Sequence, residues 1–345
     1  MGDPDAVVQQ VELGRVWQTV DPFLFCVHHD DDYPQGDEEF GPCAPLVGRN
    51  LGMDFSGRDG WSMYHGSLVP GFPQHPHRGF ETISFMRGGF MDHSDSLGAA
   101  ARFGRGDVQW MTAGSGIVHA EMFPLLNHAD RNPTELFQIW INLPAGDKMV
   151  PPHFTMLWDH EIPRHTFLDD RGRPTTVTVV AGQLLDGHPA PTPPPHSWAS
   201  RADTDVAIWH LDVAGDATWT LPPVRHRDTV RTLYVFGDGS LRVGGTEVTG
   251  GHAAVLRGDR PVEVVDDAGS GTEALVLQGR PIGEPVVQYG PFVMNDRRGI
   301  QQAYADYADT GFGGWPWSDD DPNHGPEVRR FARHADGREE ELAVV

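Results

Sequence analysis

The chain has 345 residues, of which 26 are basic and 49 acidic, giving a net charge of −23 with histidine neutral. A field of that sign repels phosphate backbones and anionic lipid heads, so direct binding to nucleic acid or to a membrane surface is not expected. No apolar run approaches the roughly 20 residues of a membrane-spanning helix, and the opening Met1-Gly2-Asp3-Pro4-Asp5 lacks the basic start and apolar stretch of a secretory signal.

In chain order, 41 glycines and 29 prolines punctuate short apolar runs, the pattern of many strands joined by turns. An all-β protein is expected. The acidic stretch from His28 to Glu39 reads as a solvated loop. Strands are predicted over 81–86, 107–111, 135–142, 175–180, 206–213, 232–236, 253–256, 262–265 and 273–278. Within the third, Phe137, Ile139 and Ile141 share one face, while Gln138, Trp140 and Asn142 share the other. Leu143 to Phe154, with Pro144, Gly146, Pro151 and Pro152, interrupts the series and reads as a linker between two halves. The proline-rich stretch from His188 to His196 reads as a long loop inside the second half. Near the C-terminus Ile300, Tyr304 and Tyr307 recur at helical spacing after Asn295 or Asp296 as cap, and Gly311 follows. From Ser318 onward polar and charged residues dominate, so the tail is expected to be peripheral or partly disordered.

The chemistry concentrates in the first half. Cys26 and Cys43 are the only cysteines, too few for a disulfide framework or a cysteine zinc site, and they point to the reducing cytoplasm. Any metal is then held by histidine and carboxylate. His75-Pro76-His77 places two imidazoles at i and i+2, on one side of an extended segment, and His119-Ala120-Glu121 repeats the spacing with an imidazole and a carboxylate. An isolated His-x-His is a common surface pair. Two matched pairs on facing strands can supply four ligands, three nitrogens and one oxygen, which suit Fe, Mn, Co, Ni, Cu or Zn and leave two positions of an octahedral ion open. His28, His29, His65, His93 and His153 have no such partner and read as surface or hydrogen-bonded core residues. Glu81 shares the odd-numbered parity of His75 and His77 and is read as a carboxylate that fixes a histidine tautomer, with direct ligation as the alternative. Arg78 reads as a local ion pair. Gln109, Trp110 and Met111 lead toward His119, where cavity lining competes with ordinary core filling.

The segments His75-Pro-His-Arg-Gly-Phe-Glu-Thr82, Asp92-His-Ser-Asp-Ser-Leu-Gly98 and the run from Gly106 to Glu121 together resemble the signature of the pirin family, a branch of the cupins. Asp21-Pro-Phe23, Asn142-Leu-Pro-Ala145, Lys148-Met149 and the passage from Gly283 to Asn295 extend the likeness. The resemblance implies a bicupin, two antiparallel jelly-roll β-barrels with a short C-terminal helix. The implied domains are a metal-binding cupin over residues 1–145, a cupin without metal over 146–290, and a helix and polar tail over 291–345 that pack back on the first. Carried over by position, the implied metal ligands are His75, His77, His119 and Glu121, with iron(II) the metal most associated with the family.

The implied activity is a quercetin 2,3-dioxygenase type of ring opening, with a flavonol and O2 as substrates, carbon monoxide released, and Glu121 as the base that takes the 3-hydroxyl proton. Two alternatives stand beside it. One is a redox-sensitive metal protein that acts through protein partners, in transcription or central metabolism. The other is a metal-assisted reaction on a different enolisable molecule. The chain departs from the family's pattern in an acidic insert around His28 to Asp59, in the lead-in from Ser62 to Ser67, and in the tail after Trp317.

Overall fold

Alternation of inward apolar and outward polar residues decides the strands, and pairing of their backbone groups decides the sheets. The computed structural model describes residues 5–185 and 188–342, so residues 1–4, read above for a signal sequence, lie outside it. All nine predicted strands are present, each within a few residues of its expected ends. No helix of the described residues is long and apolar enough to cross a membrane.

The chain divides into two units, Val27–Asp159 with Glu284–Val345, and Met1–Cys26 with His160–Gly283. The first, the histidine-bearing unit, has two antiparallel sheets. One is five-stranded, in the order His153–Leu157, Val108–Thr112, Phe80–Gly88, Asn132–Asn142, Phe23–Tyr33. The other is six-stranded, in the order Glu339–Leu342, Arg330–Arg333, Ala100–Gly104, Phe90–Asp95, Ile117–Met122, Gly71–His77. Met86, Leu136 and Phe154 from one sheet and Met91 and Phe103 from the other meet in a single buried cluster. The second unit packs a seven-stranded sheet against a four-stranded one around Val177, Trp209, Leu233, Leu241 and Val264. Both units are jelly-roll sandwiches with free sheet edges, so the expected barrels are not closed.

The unit boundaries differ from the expected ones for reasons visible in the pairing. Val7–Glu12 pairs with His252–Leu256, which takes residues 1–26 out of the first unit. His153–Leu157 pairs with Val108–Thr112, so the proline-rich stretch from Leu143 to Phe154 is an internal connection of the histidine-bearing unit rather than a linker. The acidic segment is not a loop before Pro34 either. It continues the strand Phe23–Tyr33, because Tyr33 is buried and donates to Ser62 O, and the buried Asp31 accepts from Ser62 N at 2.8 Å and Tyr64 Oη at 2.6 Å.

The tail departs from the peripheral or partly disordered end expected from its composition. Arg330–Arg333 pairs with Ala100–Gly104 and with Glu339–Leu342, extending the six-stranded sheet and burying Phe331 and Ala332. Ahead of it, Trp317 Nε1 donates to Asp95 O, His324 N donates to Asp92 Oδ2, and Arg102, bidentate to Asp92, also donates to Glu327 O. The helix is as predicted, Arg297–Thr310, with Asp296 accepting from Gly299 N at its start and Gly311 in the left-handed region at its end. It buries Ile300 and Ala303. Lys148 is fully enclosed, donating to Gly79 O, Asn142 Oδ1 and Val293 O, so its three protons tie three separated segments together.

Candidate metal centre

Strands Gly71–His77 and Ile117–Met122 run antiparallel side by side, and their register sets the site. His75 lies directly across from His119, and the i, i+2 spacing then carries His77 and Glu121 to the same inward face. The register shifts between Phe72 and His75, just after Gly71, whose φ is +132°. A side chain on Gly71 would meet Glu121 O at 2.4 Å, so only glycine permits this close approach.

Ring nitrogens of His75, His77 and His119 lie within 4.8 Å of one another, the convergence predicted from parity. Glu121 stands beside this trio, with Oε2 at 3.9 Å from His119 Nε2. Burial lowers the pKa of all three imidazoles, His75 to about 4 and His77 and His119 well below their usual range. They are therefore neutral near pH 7, with lone pairs to give. Nδ1 of His75 lies 2.8 Å from Pro73 O and Nδ1 of His77 lies 3.3 Å from Pro291 O. A carbonyl accepts only from an N–H, so these contacts place the proton on Nδ1 and free Nε2 as a donor to a cation. Both ring nitrogens of the fully buried His119 lack any hydrogen-bond partner, a costly state that a bound cation relieves. The residues present fit a divalent first-row transition ion bound through nitrogen and oxygen.

Glu121 is held by a second row of polar residues. Ser84 Oγ lies 2.8 Å from Glu121 Oε1 and 2.6 Å from Gln138 Oε1, and Gln138 Nε2 donates toward both carboxylate oxygens at 3.4 and 3.5 Å. Burial raises the Glu121 pKa against the opposing pull of these bonds. Gln109, Ser84 and Gln138 form one row across three neighbouring strands. Gln109 is fully buried, and neither its amide nitrogen nor its oxygen has a partner. His93, on the strand paired with that of Glu121, sits 5.6 Å from His119 between ring centres, stacks on Phe154, and has Nε2 at 3.2 Å from Asp95 Oδ2.

Glu81 has the opposite parity to Ser84 on the same strand, which turns it away from the Ser84–Glu121 row, and it accepts from Thr112 Oγ1 at 2.6 Å. Its parity match with His75 does not carry across Gly79, which lies in the left-handed region and separates two strands that belong to different sheets. Arg78 forms an ion pair, but not the local one expected: its partner at 2.6 Å is Asp306, on the C-terminal helix. Met111 is core, clustered with Ala113 and Ile117. Sequence reasoning missed Ser84 and weighed Gln109 only as cavity lining against core filling. The inward parity of Ser84 was readable only relative to Gln109 and Gln138, its neighbours on the two flanking strands.

A jelly-roll sandwich with three convergent histidines and a glutamate on two adjacent strands is a cupin. Sequence profiles agree, one described as Pirin matching residues 6–141 and one described as Pirin C-terminal cupin domain matching residues 208–313. The chain belongs to the pirin family. It is 40% identical over 245 residues to a Pseudomonas aeruginosa protein provisionally named a quercetin 2,3-dioxygenase, covering 70% of this chain and 80% of that one. Human pirin is 33% identical over 260 residues, covering 72% of this chain and 81% of its own. A crystal structure titled quercetin 2,3-dioxygenase, from Acinetobacter baumannii, superimposes with a TM-score of 0.69 at 25% identity, covering 90% of this chain and 98% of that one.

Proposed function

We propose that this protein is a metal-dependent dioxygenase that opens flavonols such as quercetin, using O2 and releasing carbon monoxide. His75, His77, His119 and Glu121 hold one divalent transition ion, with iron(II) the first to test and Mn, Co, Ni, Cu and Zn the alternatives. The observation that carries this reading is the convergence of three neutral imidazoles beside a buried carboxylate, in a chain similar to a solved protein titled quercetin 2,3-dioxygenase. When bound, the ion supplies Lewis acidity and redox access to O2.

The chain's own residues do the rest. Glu121 accepts the proton of the flavonol 3-hydroxyl, leaving the ring electron-rich toward O2. Ser84 and Gln138 keep that carboxylate aimed at the substrate. Gln109, with an unspent donor and an unspent acceptor, hydrogen-bonds the substrate's hydroxyl and carbonyl edge. A reducing cytoplasmic setting matches the two free cysteines.

The test is an aerobic assay of iron-loaded protein with quercetin. Loss of the flavonol absorbance with stoichiometric O2 uptake and carbon monoxide release is expected. No turnover with any of the six metals overturns the reading and favours a partner-binding regulatory role, and turnover without O2 favours a different reaction on an enolisable molecule.

A further inference from the structure

In the second unit, which carries no histidine trio among its described residues, a buried arginine hydrogen-bonds only to neutral acceptors. Val230–Phe236 turns Leu233 and Val235 into the apolar core, and the same alternation turns Arg231 inward. Thr272–Gly279 does the same with Ala274, Val276 and then Gln278, which lies directly across from Arg231. Arg231 is 0% exposed.

Its donors are only partly used. Nε donates to Gln278 Oε1 at 2.7 Å and Nη1 to Pro222 O at 2.6 Å, both neutral acceptors, while Nη2 has no partner. The guanidinium carbon lies 5.6 Å from the centre of the Trp209 ring, and Trp209 Nε1, also buried, has no partner either. The acceptor of the Gln278 amide faces Nε, and its amide nitrogen donates to Asp205 O. Asp205, the acid whose charge acts on Arg231, directs Oδ2 to Arg225 N and Thr229 Oγ1 and holds its own backbone at a φ of +52°. Burial lowers the Arg231 pKa to about 10, which leaves it charged near pH 7.

A buried cation that meets only neutral acceptors, next to two N–H groups with nothing to donate to, is an incomplete site. We infer that Arg231 and Trp209 bind a small monovalent anion, best matched by a carboxylate, inside the second unit. One oxygen accepts from Arg231 Nη2 and the other from Trp209 Nε1, and the single negative charge balances the single positive one. Ala207, directly across from Gln278 on its other side, keeps the neighbouring inward position small. The loop 222–229, whose Pro222 carbonyl holds Nη1, has Arg225, Arg227 and Asp228 exposed, so the site lies behind a solvent-facing loop.

The site is tested with two probes. Crystals soaked in bromide are expected to show an anomalous peak beside Arg231 Nη2 and Trp209 Nε1. In solution, formate is titrated at constant ionic strength against bulky gluconate, in metal-free and metal-loaded protein alike, so that anion binding in the histidine-bearing unit is read separately. A saturable rise in melting temperature is expected in both forms. Trp209→Phe keeps the ring, removes the donor, and weakens formate binding by about tenfold, and Arg231→Met abolishes the response. If Arg231→Met does not fold, Trp209→Phe decides alone. A water in place of bromide, no saturable response, or an unchanged response in Trp209→Phe overturns the inference.

Discussion

His75 stands directly opposite His119 in the antiparallel register of their strands, and this pairing assembles the nitrogen trio. The trio is built on a sheet rather than on loops, so its geometry survives the loss of one member. His119→Ala is expected to lower metal retention at least about tenfold while leaving the circular dichroism spectrum unchanged. Elemental analysis of the purified variant checks it.

Ser84 and Glu121 face each other at 2.8 Å from opposite sheets. Ser84→Ala removes a hydrogen bond to a charged group, a loss of about 1.5–3 kcal/mol in the aim of the carboxylate. The expected result is a fall in kcat on quercetin of roughly ten- to a hundredfold with KM little changed. Steady-state kinetics on protein of matched metal content separates the two parameters.

Gln109 predicts opposite changes in stability and binding. Gln109→Leu removes two buried polar atoms that have no partner, so the folded protein gains about 1–2 kcal/mol. The same change deprives the flavonol of its contact, and KM rises roughly three- to tenfold. Urea unfolding reads the first effect and initial rates the second. A destabilised variant with unaltered KM would show that the amide has a structural partner instead.

Asp54 governs an acid-labile contribution to stability. Burial pushes its pKa up, but bonds from Ser56, Arg49 and Met63 outweigh that and bring it from 3.8 to about 2. Between these values the unfolded chain binds the proton and the folded one does not, so stability falls as the pH drops through that window. Above pH 5 the contribution is complete, about 2 kcal/mol. Asp54→Asn is expected to be less stable than the parent by that amount at pH 7, with the gap closing toward pH 2. Urea midpoints measured across this range test it.

Strand alternation, the helix with its Asp296 cap and Gly311 stop, and the two histidine-bearing dipeptide spacings were readable because each is a local periodicity. The features that escaped depend on partners far away in the chain. Asp31 looks like a solvated acid until Ser62 and Tyr64, about thirty residues on, supply its donors. The tail has little apolar content, but Phe331 and Ala332 suffice once Ala100–Gly104 offers an unpaired edge. Parity relates Glu81 to His75 only within one uninterrupted strand, and Gly79 interrupts it.

Neither unit is a contiguous stretch of chain. The strand Val7–Glu12 completes one and Arg330–Arg333 with Glu339–Leu342 completes the other. Cutting the gene in the middle yields two fragments that each lack their own outermost strand, leaving sticky backbone for unwanted association. A polyhistidine tag or fluorescent fusion joined close to Val7 or to Leu342 hangs from a structural strand, so purification handles need a flexible spacer at either end.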